Sequence, residues 1–399
     1  MFRAILNANE HGEPVSVGFP ISKSVYADTI TKLQQQSMGH AINPDCRVEE
    51  VISSVFPVLR RMEGERVNVD ELDYLAKRLD SFDVGEAAQF QAMGEKLELH
   101  RIKDFINLTF CCQEATVITD FSDLNKVGRE HYMNLHGGCA PVAEWDSLNG
   151  EEIARSLIGS GSGIVTPYGV VYDNGMKLEQ CYQGKQFPAY SYEPELLVLT
   201  LHPKGKEFNE ESATWLFLPM EEEQLSRTLL RSGITAPGEI QFRFQSSRFP
   251  DEIDAALQFE TEDIHDLNAL CEACRKFNEV DFSKLASVCE MAKPSSAAEI
   301  GRLAENIDQF DFIPNVYSPE EYGKYMIQKS GHFSYDENLD DFYNYGDYGA
   351  ARIREESGMF AYRGYVSYHG TMRLEELMHP DPAEDYRQER GLEMGMGMM

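Results

Sequence analysis

Cationic side chains are what this sequence has least of. Lys and Arg total 36 against 67 Asp and Glu, a formal net charge of -31 over 399 residues. Affinity for nucleic acid or anionic lipid comes from cations, so direct binding to either is argued against and the expected partner is basic. The deficit runs through the whole chain: residues 1–195 carry 17 basic and 29 acidic side chains, and residues 196–399 carry 19 and 38. Long apolar runs are missing too. No window approaches the roughly 18 apolar residues of a membrane span. The start MFRAILNANEHGEP has neither the basic segment nor the apolar run of a signal peptide, so the expectation is a cytoplasmic protein without membrane contact.

The catalytic and metal-binding signatures are equally scarce. Eight cysteines (46, 111, 112, 139, 181, 271, 274, 289) sit mostly in apolar segments and lack the density of a secreted disulfide scaffold, which reads as reduced core thiols. Cys271 and Cys274 form a CxxC without a second pair; Cys289 and His265 would have to be recruited for a zinc site, and a helix face shared with Leu267 and Leu270 is the simpler reading. His131 and His136 lack HExxH spacing and read as exposed or capping residues. Asp336, Asp340 and Asp341 allow a two-metal nuclease to be entertained, but the segment lacks the Gly and Glu of an EF-hand loop. Ser160-Gly161-Ser162-Gly163 is not followed by the Lys-Ser/Thr of a phosphate loop. No nucleophile with a neighbouring base stands out, so no catalytic residue, metal or cofactor is expected and the chain is read as a non-enzyme.

Hydrophobic residues make up 42% of the chain, enough to fold it, and 399 residues imply two or three domains. Residues 2–8 and 14–20 alternate like the strands of a hairpin, and a helix follows from about Ser24 to Gln36. Asn68 or Asp70 can cap a helix with Leu72, Leu75 and Leu79 on one face; further helical patterns run near 85–97 and 99–110. Asp120 or Ser122 can cap the next helix, through Val127 and Tyr132, and residues 165–175 read as a second hairpin.

An internal repeat decides the architecture. Shifting the chain by 195 residues superposes Leu72 on Leu267, Leu75 on Leu270, Phe82 on Phe277, Leu108 on Leu303, Ile118 on Ile313, Gly128 on Gly323, Gly163 on Gly358 and Gly169 on Gly364. One inserted residue then brings Tyr172 onto Tyr368, and Phe19-Pro20 corresponds to Leu218-Pro219. The expected fold is α+β, an elongated tandem repeat of two modules. Each module has a small βα domain (1–66 and 193–260), a helical bundle (67–112 and 261–308) and a mixed αβ domain (113–190 and 309–378), with a disordered tail from 379 to 399.

The stretch from Phe310 to Gly370 alternates carboxylates with Tyr and Phe. Its aromatics are expected to build core and interface while its acids stay in water, since unpaired buried charge is very costly. Stacking of Tyr343, Tyr345, Tyr348, Tyr362, Tyr365 and Tyr368 on bases would need a cationic groove, and only Arg352, Arg354 and Arg363 lie nearby in sequence. Tyr322, Tyr325, Ile327, Gly331, Asp336, Phe342, Tyr345, Tyr348-Gly349, Gly358 and Gly364 resemble the third domain of the ArdA antirestriction proteins. Leu216-Phe217-Leu218-Pro219 followed by Glu222, Leu225 and Leu229 is similar to the family's opening strand and acidic helix. The likeness spans residues 196–375; its motifs are diffuse, and their collinear order carries it. The first copy departs from it, with Trp145, Asn149 and Gly150 where the second has Asp340, Asn344 and Tyr345.

The resemblance implies an acidic DNA mimic that occupies the DNA-binding groove of type I restriction-modification enzymes, acting as a pseudo-dimeric single chain or a homodimer. Duplex DNA carries about one charge per 3.4 Å on each strand. Acids three or four apart on a helix repeat about every 4.5–6 Å, so several elements must contribute. The phosphate-mimicking carboxylates expected here are Glu221, Glu222, Glu223, Asp263, Asp266, Glu320, Glu321, Asp336, Glu337, Asp340, Asp341, Asp347, Glu355 and Glu356. Further acidic groups are Glu49 and Glu50; Asp70, Glu71 and Asp73; Glu151 and Glu152; Asp251, Glu252 and Asp254; and Glu260 and Glu262. The alternative is an acidic adaptor that binds a basic protein without imitating DNA; a metal-dependent nuclease is the remaining reading.

Overall fold

A computed structural model describes residues 1–9, 12–205, 207–209, 213–234, 237–259 and 261–379. The tail from 380 and Glu260 lie outside the described residues. The architecture is mixed α+β, with small antiparallel sheets. The chain divides into two compact units, one of Met1–Glu193 with Gly205–Trp215 and Glu223–Thr235, the other of Pro194–Lys204, Leu216–Glu222 and the chain from Ala236.

The first unit opens as its hydrophobic alternation dictates. Strands β1 (Phe2–Asn7) and β2 (Val15–Phe19) pair antiparallel, and Phe2, Ala4, Leu6, Val17 and Phe19 turn inward. Helix α1 (Lys23–Gln35) buries Tyr26, Ile30 and Leu33, one stripe at helical spacing. Strand β3 (Cys46–Ile52) and the short β4 (Arg66–Val67) complete a sheet of order β2-β1-β3-β4. Asn68 starts α2 (Val69–Asp80) with a full capping box to Glu71, and Leu72, Leu75 and Leu79 are buried as their spacing requires. Helices α3 (Val84–Lys96) and α4 (Ile102–Leu108) close the bundle, so that sheet and helices share one core.

Beyond it lie β5 (Thr116–Ile118), α5 (Leu124–Leu135), α6 (Val142–Ser147), α7 (Gly150–Gly159), β6 (Ile164–Thr166) and β7 (Gly169–Tyr172), with a sheet of order β5-β7-β6. The cap of α5 is Asp123, which accepts from Lys126 N; Asp120 instead accepts from Ser122, one turn too early to start the helix.

After β8 (Leu197–Pro203), β9 (Thr214–Leu218), α8 (Glu222–Arg231) and β10 (Ile240–Ser247), with sheet order β10-β8-β9, come α9 (Asp251–Ala256), α10 (Ile264–Ala273), α11 (Glu279–Ala292) and α12 (Ala297–Glu305). The chain ends in β11 (Phe310–Pro314), α13 (Pro319–Gln328), α14 (Tyr345–Glu356), β12 (Met359–Ala361), β13 (Gly364–Tyr368) and α15 (Leu374–Met378), with sheet order β11-β13-β12. The first residues of α2, α3, α4, α5, α7, β6 and β7 precede those of α10, α11, α12, α13, α14, β12 and β13 by 195 positions each. The peptide bonds Phe19-Pro20 and Leu218-Pro219 are both cis.

Glycines fix the recurring helix pair. A Cβ on Gly128 would stand 1.8 Å from the Gly150 carbonyl oxygen, and one on Gly323 2.1 Å from that of Tyr345. Backbones therefore touch where α5 meets α7 and where α13 meets α14, which only a residue without Cβ permits. Gly169 and Gly364 hold φ of +131° and +149° beneath the carbonyls of Ile118 and Ile313, at equivalent turns.

Candidate functional site

The carboxylates expected to face a partner fall into several local environments. On α13, Ser318 caps the helix by accepting from Glu321 N at 3.2 Å, and Pro319 occupies the first turn. Glu320 and Glu321 follow, where the helix dipole favours negative charge. Glu321 also accepts from Tyr317 N at 2.7 Å. At α14, Asn344 caps by accepting from Asp347 N at 3.1 Å, which sets Asp347 in that first turn. A Cβ on Gly349 would lie 1.9 Å from the Pro319 carbonyl oxygen, so the two acidic helix starts are brought together by backbone contact.

Between the helices, Asp336 starts a 3-10 turn over Glu337–Phe342 by accepting from Asn338 N at 3.0 Å. Asp340 sits at the centre of the segment. Its Oδ1 accepts from the hydroxyls of Tyr345 and Tyr335, the latter at 2.7 Å, and from Gln328 Nε2 at 2.8 Å. The hydroxyls of Tyr345 and Tyr335 hold the Asp340 carboxyl below its ordinary value, while that bond to Asp340 pushes the Tyr335 phenol up. This arrangement leaves Glu337, Asp341 and Asp347 exposed.

At the other end of α14, Glu356 accepts from Tyr322 and Tyr365, the latter at 2.9 Å, and from Arg352, which also reaches Glu355 at 3.3 Å. The rings of Tyr322 and Tyr365 stack 4.1 Å apart; burial first and Glu356 next push both phenols up. Glu356 is thus a core anchor, and Glu355 is partly neutralised. The aromatics divide as well. Tyr345 and Tyr365 are buried and Tyr343, Tyr348 and Tyr368 half-buried, but Phe342 is 84% and Tyr362 77% exposed, so these two rings leave the core expected for them.

Glu222 pairs with His265 Nδ1 and accepts from Asn268 Nδ2 at 3.4 Å, and Glu221 beside it is half-buried. Asp263 caps α10, accepting from His265 N at 2.8 Å. Burial, then the neighbouring Asp263, raises the Asp266 carboxyl. Glu223 belongs to the first unit and is half-buried.

The acidic run at the start of α2 overturns its expected place on the surface. Asp70, Glu71 and Asp73 are all buried. Asp70 takes a two-pronged bond from Arg227, at 3.1 and 2.9 Å, and the Tyr26 hydroxyl at 2.8 Å. Glu71 accepts from the Tyr182 hydroxyl at 2.8 Å, and Asp73 binds Lys77 and Ile21 N. Glu71 is drawn in as the capping-box partner of Asn68, and each of the three has a donor because a lone buried carboxylate is untenable. Local partners hold other groups too: Glu49 takes Asn7, Glu151 takes Arg155, Asp254 takes Ser247, Glu262 takes Ala297 N, and Glu252 takes a fork from Arg363 at 3.0 and 2.9 Å.

Cys271, Cys274 and Cys289 are buried, and burial pushes the Cys289 thiol up to about 12. Cys139 and Cys181 are exposed and so are not core thiols. His131 Nδ1 lies 2.8 Å from Thr116 Oγ1, and exposed His136 caps α5 and donates to the Tyr132 carbonyl. Among the described residues no three His, Cys, Asp or Glu side chains cluster to hold a metal, and no helix is long and apolar enough to cross a membrane.

Two parts of the site left no trace in the sequence. Gln328 and Tyr335 reach Asp340 through a loop, where no helical or strand period relates partners. The chain matches no family model and no curated protein.

Proposed function

We propose that this chain is a non-enzymatic antirestriction protein of a mobile element, built as two ArdA-like modules in tandem. Its carboxylates act as a DNA mimic that competes for the DNA-binding groove of type I restriction-modification enzymes in the host cytoplasm and protects incoming DNA. One observation carries the reading. Glu320, Glu321, Asp336, Glu337, Asp341 and Asp347 are all exposed, and no cation lies within ion-pair distance of any of them among the described residues. Glu321, Asp336 and Asp347 are held by hydrogen bonds at helix and turn starts, which fixes part of that exposed array. The recurrence of element starts at a constant offset supports the two-module reading.

The test is the plating efficiency of unmodified phage on a type I restricting host with and without the gene. Rescue of plating is expected, and in vitro duplex DNA should displace the protein from the enzyme, with affinity falling steeply as salt rises. An unchanged plating efficiency, with binding to a basic protein that tolerates added DNA, would replace this reading with an acidic adaptor.

A further inference from the structure

We propose that an open pocket of the second unit, lined by Tyr317 and Tyr362, receives an arginine side chain. The arginine belongs to the basic partner proposed above, and for that identity alone the site rests on that reading. Tyr317 lies just ahead of the Ser318 cap of α13, and Tyr362 in the turn between β12 and β13. Two backbone contacts bring these segments together. Asn315 N donates to the Arg363 carbonyl oxygen at 3.1 Å, and a Cβ on Gly364 would stand 2.2 Å from the Ile313 carbonyl oxygen. The pocket so formed has a volume of about 610 Å³ and is completed by Pro314, Asn315, Arg363 and, from α11, Ser283.

Neither ring is buried in the core. Tyr317 is 50% and Tyr362 77% exposed, and among the described residues neither stacks on another ring or on a cation. The first copy builds the same helix pair and hairpin with Ser122 and Pro167 at the equivalent places, so the scaffold does not require the rings. The backbone beneath them is nevertheless fixed: Tyr317 N donates to Glu321 at 2.7 Å, and Tyr362 N to Glu290 at 3.0 Å. Rings held at their base and exposed suit a planar cation, and a guanidinium stacks better than the more strongly hydrated ammonium of lysine. Charge selects the same occupant. Glu290 and Glu321 have no cation within ion-pair distance among the described residues. Arg363, the one charged side chain lining the pocket among the described residues, is already engaged by the fork to Glu252, and Lys284, next to Ser283 on α11, does not line it. A nucleobase would stack there as well, but the phosphates of its strand would meet those carboxylates with no free cation in the pocket.

The probe is N-acetyl-arginine amide, titrated with the full chain at physiological salt and read by saturation-transfer difference NMR. Saturable binding is expected, and it should weaken about tenfold in the Tyr317→Ala/Tyr362→Ala variant, whose net charge is unchanged. The Tyr317→Phe/Tyr362→Phe variant keeps both rings and should keep the binding. N-acetyl-citrulline amide, alike in shape but neutral, should bind about tenfold more weakly than the arginine probe. Against a type I enzyme, the alanine variant should lose about tenfold in affinity with an unchanged salt dependence, since no charge is removed. No saturable binding of the arginine amide, equal binding by the alanine variant, its loss in the phenylalanine variant, or equal binding of the citrulline amide would each overturn the pocket. An arginine amide that binds as expected to a chain that fails to bind the enzyme would keep the pocket and strike the partner proposed for it.

Discussion

Two loops at equivalent places in the repeat, residues 136–149 between α5 and α7 and residues 331–344 between α13 and α14, are fastened differently: a guanidinium leads in the first, where Tyr132 also donates to Glu144 at 2.7 Å, and a carboxylate in the second. In the first, Arg129 donates to the carbonyl oxygens of Trp145 and Leu148 at 3.0 and 3.2 Å and lies 4.8 Å from the centre of the Trp145 ring. In the second, Lys324 stands where Arg129 would, and Asp340, in the position of Trp145, gathers Tyr335, Tyr345 and Gln328 instead. A guanidinium satisfies carbonyls; a carboxylate satisfies phenols and an amide. The helix pair beneath is the same in both. What differs is the charge left at the surface: the first loop exposes Glu144 and Asp146, the second Asp336, Glu337 and Asp341. The helix pair is therefore shared while the loops differ in the charge at their centre, and the copy whose loop is centred on Asp340 is the one we assign to the basic partner.

If the scaffolds are equivalent, damaging either should be equally severe. Gly128→Ala and Gly323→Ala each force a methyl into a backbone carbonyl 1.8 and 2.1 Å away. Overpacking typically costs about 1–3 kcal/mol, and a clash with backbone belongs at or above the top of that range. Both variants should lose about 3 kcal/mol or more in urea unfolding, while Gly18→Ala, whose Cβ has open space, should lose almost none. A large loss in one glycine variant and none in the other would break the structural equivalence.

Function should separate the copies. Neutralising Glu320, Glu337, Asp341 and Asp347 to the amides removes four exposed charges. The equivalent positions in the first copy are Asn125, Val142, Asp146 and Glu152, only two of them acidic. At roughly 0.5–1 kcal/mol for each charge contact, the quadruple variant should lose about 30-fold or more in affinity for a type I enzyme. Asp146→Asn with Glu152→Gln should lose markedly less. Equal losses would assign the partner to both copies.

Much of the scaffold was legible because it rests on short-range rules. Leu72, Leu75 and Leu79 have helical spacing, Asn68 precedes them as a cap, and the glycines keep the 195-residue register. Strand β3 was not foreseen: adjacent Glu49 and Glu50 interrupt its alternation, and the register with β1 shifts between Ile5 and Leu6 to accommodate it. The acidic site was legible only as composition. Asp70 and Asp341 look alike in sequence, yet one is buried under Arg227, 157 positions later in the chain, and the other is exposed. Burial of a charge depends on a donor arriving from elsewhere in the fold, which no local pattern records.

Loosening each loop by its own fastening gives a subtler separation. Asp340→Asn keeps the shape but removes the anion that the two phenols donate to, so amide exchange should quicken across residues 336–344 and stay unchanged across 136–149. Trp145→Ala should do the reverse, removing the ring over which Arg129 lies. Exchange read by mass spectrometry on the intact chain checks both. A variant that quickened both segments alike would mean that the fastenings are not local.

The smallest effect is the most specific, because of Asp340 and Arg129 only the carboxylate can change its charge in acid. Asp340 has its folded-state carboxyl pKa depressed by the Tyr345 and Tyr335 hydroxyls. Its contribution is therefore present above the unfolded carboxylate range, near pH 4, and is lost as pH falls through the lower folded value. Arg129 stays charged throughout, and the carbonyls it bonds do not titrate. Below about pH 4, exchange should therefore quicken in the loop around Asp340 relative to that around Arg129, after correction for the intrinsic pH dependence of exchange. The Asp340→Asn variant should abolish the difference. Should the two loops loosen together, or should the difference persist in the variant, the acid response would have to come from another group than Asp340.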